Sequence, residues 1–86
     1  MPAAGNWFVT PHAVRRYIER CRPSLTYEQA LADLVRYSTS ARRCTEYRSG
    51  IVLYRTPKPE RLRLLVREST LRPDGSPGLP QLVTVL

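Results

Sequence analysis

The hydrophobic pattern changes its period near residue 44, and this switch constrains the fold more than any other feature of the chain. Before it, apolar residues recur at helical steps. After it, they alternate or run in short extended stretches. Ala13, Val14, Tyr17, Ile18 and Cys21 make one helical stripe between Pro11 and Cys21. Thr10 suits the N-cap of that helix, Pro11 suits its first position, and Pro23 stops it. A second helix is signalled by Thr26 and Gln29, a capping-box pair, with Leu25 and Ala30 as a hydrophobic staple. Its buried side is Ala30, Leu31, Leu34 and Val35, with Tyr27 and Ser38. Arg42-Arg43 suit its C-terminal end.

The second half reads as strands. Glu46 to Arg48 fits a short strand and Ser49-Gly50 a turn. Ile51 to Arg55 fits a strand, and Pro57-Lys58-Pro59-Glu60 interrupts. Arg61 to Glu68 alternates, a Pro- and Gly-rich loop over 72–80 is expected to be flexible, and Gln81 to Leu86 fits a last strand. Trp7-Phe8-Val9 fits a brief strand before the first helix. Hairpin-length connections favour antiparallel pairing. The expected class is α+β: a short β-strand, two α-helices, then a three- or four-stranded antiparallel sheet with the helices on one face. Residues 1–86 are expected to form a single domain.

Charge narrows the partner. Fourteen Lys and Arg oppose seven Asp and Glu, for a net charge of +7, and every cation except Lys58 is Arg. Such a balance predicts an anionic partner, nucleic acid first and an acidic protein second. The planar guanidinium fork suits phosphate. Two cysteines without a Cys-x-x-Cys, and one histidine, supply neither a disulfide scaffold nor a metal set. No metal or other cofactor is therefore expected. No signal-peptide pattern or membrane-length apolar run is evident, so a cytoplasmic location and no membrane partner are expected.

His12, Arg16 and Arg20 follow at steps of four and form one stripe on the first helix. Near a helix N-terminus an imidazole is disposed to stay neutral and to accept a proton. The plainer alternative is a solvated cationic face carrying a surface histidine. In the strands, Arg61, Arg63 and Arg67 share a parity opposite Leu62, Leu64 and Val66, which predicts a basic open face. Arg48 and Arg55 are further strand cations, and Tyr47 and Tyr54 are expected to offer stacking groups to bases. Thr84 lies opposite Val83 and Val85 and could contact a phosphate oxygen. Because the RNA 2′-OH can itself act as nucleophile, His, Arg and a hydroxyl would suffice for metal-free cleavage.

The segment His12-Ala13-x-x-Arg16-Tyr17-x-x-Arg20 resembles the HAxxRMxxR helix of a widespread group of small bacterial domains. In that group a second helix, a few strands and a terminal strand ending in a Thr-Val pair follow, and Thr84-Val85 stands here. Tyr17 replaces the frequent Met, and Cys21-Arg22-Pro23 stands where a glycine often follows the last motif arginine. These domains are similar to the barnase–EndoU–colicin–RelE class of toxin ribonucleases. The resemblance implies a RelE-like fold and a small, metal-independent endoribonuclease. His12, Arg16 and Thr84 would be its catalytic residues, with Arg20 supporting at the substrate. Arg48, Tyr54, Arg63 and Arg67 complete the expected substrate surface. The implied partners are RNA, in a ribosome-associated setting, and an acidic antitoxin or other acidic protein. The rival expectation is a non-catalytic module that binds nucleic acid or a protein such as a host polymerase.

Overall fold

The computed structural model describes residues 7–58, 61–68, 70 and 72–86. In chain order the elements are β1 (Phe8–Val9), α1 (Pro11–Arg20), α2 (Tyr27–Ser40), β2 (Arg42–Arg48), β3 (Ile51–Arg55), β4 (Arg63–Arg67) and β5 (Gln81–Val85). The class is α+β, with two helices on one face of a five-stranded mixed sheet ordered β1-β5-β4-β3-β2. The expected all-antiparallel sheet of three or four strands is corrected in one respect. The opening strand joins the sheet and runs parallel to β5, Phe8 opposite Gln81 and Val9 opposite Leu82. The remaining pairs are antiparallel. Of the Pro57–Glu60 interruption, Pro59 and Glu60 lie outside the described residues.

Local chemistry sets the helices. The Thr10 hydroxyl accepts the Ala13 N–H at 3.2 Å, and Pro11 occupies the first turn. The same hydroxyl is directed at the β5 carbonyls of Leu82 at 2.8 Å and Val83 at 3.2 Å, so one side chain both caps α1 and ties it to the sheet. At α2 the capping box is reciprocal: Thr26 N–H donates to Gln29 Oε1 at 3.0 Å, and Gln29 N–H donates to Thr26 Oγ1 at 3.2 Å. Arg42-Arg43 do not cap α2. Ala41 is already extended, and the two arginines open β2 opposite Arg55 and Tyr54, where the sheet ladder satisfies their backbone.

Ala13, Val14 and Tyr17 of α1 and Ala30, Leu34 and Tyr37 of α2 pack with Val9, Leu64, Val66, Leu82 and Val85. Each fully buried Val or Leu contributes about 1.5–3 kcal/mol. The Tyr17 hydroxyl donates to Asp33 Oδ2 at 2.9 Å, which ties α1 to α2 inside this core. Burial, then the hydrogen bonds with Tyr37 and Asp33, pushes the Tyr17 phenol far above its ordinary range.

Three register shifts set which side chains leave the core face. In β2 they fall between Arg43 and Thr45 and between Glu46 and Arg48, so Cys44 and Tyr47 are extra residues. In β5, Leu82 opposes Val66 while Thr84 opposes Leu65, which leaves Val83 extra. The loop before β5 is closed by its own hydrogen bonds: Arg72 N–H to the Ser76 carbonyl, Gly75 N–H to the Arg72 carbonyl, and Ser76 N–H to Asp74 Oδ1. Among the described residues no helix is long and apolar enough to cross a membrane.

Candidate nucleic-acid interface

The helices cover the sheet face formed by Leu64, Val66, Leu82 and Val85, and no helix lies over the opposite face. Cross-strand register arranges that uncovered face in three rows. At one end Arg42, Arg55 and Arg63 stand side by side on β2, β3 and β4. In the middle come Thr45, Leu53, Leu65 and Thr84. At the other end come Arg48, Ile51, Arg67, Gln81 and Phe8. The two cationic rows are four residues apart along β4, about 13 Å. Between them Leu65 is only 6% exposed, flanked by Leu53 and Thr84. Phe8, at the β1 end, is 51% exposed.

Charge is segregated about the sheet. Glu19, Glu28 and Asp33 sit on the helices, and Glu46 and Glu68 follow the core-side parity of β2 and β4. Asp74 is turned into its own loop, where Ser76 holds its carboxyl below the usual carboxylate range. Among the described residues the three rows therefore contain five guanidinium groups and no carboxylate. Like charges placed directly opposite each other weaken a sheet. A row of Arg42, Arg55 and Arg63 is thus a local cost in the isolated protein, and an anion lying across it would remove that cost.

Compared with protein families, curated proteins and solved structures, the chain matches none. The site therefore rests on its own geometry.

That geometry divides the expected site residues into two groups. Arg48, Arg63 and Arg67 share the uncovered face, and Thr84 joins them in the middle row. His12, Arg16 and Arg20 belong to the helix layer. His12 and Arg20 are exposed, and Arg16 pairs with Glu19 at 3.6 Å on the α1 surface, a weak exposed ion pair. Among the described residues no hydrogen bond or ion pair joins His12, Arg16 and Thr84. α1 packs on the core side of β5, whereas Thr84 is on the other side. Three groups converging on one anion are not what this arrangement provides.

Tyr54 is corrected as a stacking group. Its parity is that of Val52, so its ring turns toward the core, edge-on to Trp7 with centroids 4.9 Å apart. Its hydroxyl donates to Glu68 Oε2 at 2.5 Å. Burial and that carboxylate push the phenol up to about 12. Arg43 grips the same carboxylate at 3.1 Å. Tyr54 first, and Arg43 after it, hold the Glu68 carboxyl below its ordinary value. This trio is structural. Tyr47 remains exposed, with the Arg48 guanidinium 5.3 Å above its ring.

Residues that sequence reasoning missed are Arg42, assigned to a helix end, and the apolar centre formed by Leu53 and Leu65. Phe8 was missed too, because its row depends on a parallel pairing with a strand more than seventy residues away. Among the described residues no group of three or more His, Cys, Asp or Glu side chains is placed to hold a metal ion.

Proposed function

We propose that the protein binds single-stranded RNA across the uncovered sheet face, as a binding module rather than a nuclease. The observation that carries this reading is the charge segregation: five guanidinium groups in two rows, with every described carboxylate elsewhere. The rows would hold separate phosphates of one strand. Leu53, Ile51 and Phe8, around the buried Leu65, offer the apolar surface that unstacked bases need and a closed duplex does not. Thr45 and Thr84 supply hydroxyls for base edges or the 2′-OH. The order of strand, two helices and sheet supports a RelE-like architecture, the type the α1 motif resembles. Cleavage lacks comparable support, because His12 and Arg16 lie on the helix layer.

The test is fluorescence anisotropy of the full chain with single-stranded RNA, duplex RNA and single-stranded DNA over a salt series. Single-stranded RNA should bind tightest, with a log–log salt slope of about −3.5 for five phosphate contacts. It should remain intact with chelator present. Equal affinity for duplex and single strand would refute the role of the apolar row. Cleavage that disappears in His12→Ala would replace binding by catalysis as the function.

A further inference from the structure

The connection between β3 and β4 holds a second cationic feature, which the three rows do not include. Thr56 and Leu62 clamp its base. Thr56 N–H donates to the Leu62 carbonyl at 3.1 Å, and Leu62 N–H donates to the buried Thr56 hydroxyl at 2.7 Å. Arg61 N–H donates to the Pro57 carbonyl at 3.3 Å. Above this clamp Arg55, Thr56, Pro57, Lys58, Arg61 and Arg63 line a cleft of about 500 Å³. Four of the six are cations. Among the described residues none of the four has a carboxylate partner.

Arg61 also has φ 51°, the left-handed region that disfavours any side chain beyond glycine or asparagine. Arginine here is the expensive choice for the backbone. It holds a fourth cation over the cleft where a glycine would turn the chain more easily. Strain at a charged residue beside a cationic pocket is the pattern expected of a ligand site.

We propose that this cleft takes a terminal phosphate, the dianionic end of a nucleic-acid strand. The proposal rests on the sheet-face reading, because Arg55 and Arg63 belong both to the cleft and to the first cationic row. A strand lying along that row would bring its end to the cleft mouth. A phosphomonoester carries a charge of about −1.5 to −2 near neutral pH and three acceptor oxygens. An internal phosphodiester carries one charge and leaves two oxygens free. Four converging cations are more than a diester needs and match what a monoester presents. The two sources of such a group, a 5′ and a 3′ phosphate, share this chemistry and are separated by experiment.

The experiment is anisotropy with an internally labelled RNA of about ten nucleotides, bearing a 5′-phosphate, a 3′-phosphate or hydroxyls at both ends. One phosphorylated form should bind at least about fivefold tighter than the hydroxyl form, the scale of one charge-assisted contact. Which form it is assigns the polarity of the bound strand. The preference should shrink toward unity between about pH 7.5 and pH 5.5, as the monoester takes up its second proton. Arg61→Gly, which suits the backbone, and Lys58→Ala should each lower the preference to within about twofold. Equal binding of all three RNAs by the wild type overturns the cleft proposal and leaves the sheet-face reading standing. So does a preference that both variants retain. Failure of every RNA to bind overturns the sheet-face reading and this proposal together.

Discussion

Replacing Arg55 by glutamate should make the protein more stable and a poorer RNA binder at once. Arg55 stands in register between Arg42 and Arg63, so its guanidinium meets a like charge on either side. A directly opposed charge pair changes sheet stability by about 0.2–1 kcal/mol, with the sign set by the charges. Arg55→Glu converts two repulsive neighbours into attractive ones. With the screening expected at an exposed site, the gain is about 1 kcal/mol. For a domain of this size that is a rise in Tm of about 5 °C. Thermal denaturation followed by circular dichroism at low ionic strength reads it directly. In salt of about 1 M, where screening acts over about 3 Å, most of the gain should vanish. Arg55→Thr removes the repulsion without adding attraction and should fall between the two. In RNA binding the salt slope should flatten by about 0.7. A wild type that melts above Arg55→Glu at low salt would refute the argument, because the row would then be free of repulsion.

Other perturbations test the core, the helix pairing and the charged trio. Leu64→Ala removes a fully buried side chain at the centre of the sheet and should cost about 3 kcal/mol in urea denaturation, with an unchanged m-value. Tyr17→Phe deletes the hydrogen bond to Asp33 between the helices and should cost about 1 kcal/mol by the same assay. The Glu68 carboxyl titrates lower in the folded protein than in the unfolded chain, so its contribution is present above about pH 4.3 and is lost as the pH falls through the folded value. Glu68→Gln should therefore flatten the acid limb of a stability–pH profile, and an unchanged limb would remove the trio as its cause. Tyr54 has the opposite sign. Its contribution holds below about pH 10 and is lost as the pH rises through about 12, so Tyr54→Phe should flatten the alkaline limb.

What was legible in the amino-acid order follows from the range of the interactions involved. Both helix starts were readable because a cap acts within three residues: Thr10 on Ala13, Thr26 on Gln29. The bounds of β3 were readable because five consecutive strand formers end at a proline-rich connection. The sequence pattern places the start of β2 at Glu46, four residues late. Its two bulges put Arg42, Thr45 and Arg48 on one face at steps of three, a spacing that does not resemble a strand. The parallel seat of β1 was invisible because nothing local records a partner near residue 81. The same division holds for the candidate interface. Arg63 and Arg67 share a strand, so parity alone placed them together. Adding Arg42 and Arg55 to them requires cross-strand register. The stacking role expected of Tyr54 fails because its parity is that of Val52, two residues earlier, which faces the core. The separation of His12 and Arg16 from Thr84 depends on which side of β5 receives α1, a tertiary choice that no motif encodes.

The seat of β1 against β5 also dictates when the molecule can finish folding during synthesis. Residues near position 9 have no place to dock until those near position 82 have left the ribosome. Until then the two helices hold Val14, Tyr17 and Leu34 without Val9, Leu82 and Val85, the β1 and β5 side chains that complete their cover. A nascent chain paused inside the stretch before β5 would display that oily surface to its surroundings, and there a chaperone or protease would meet it first.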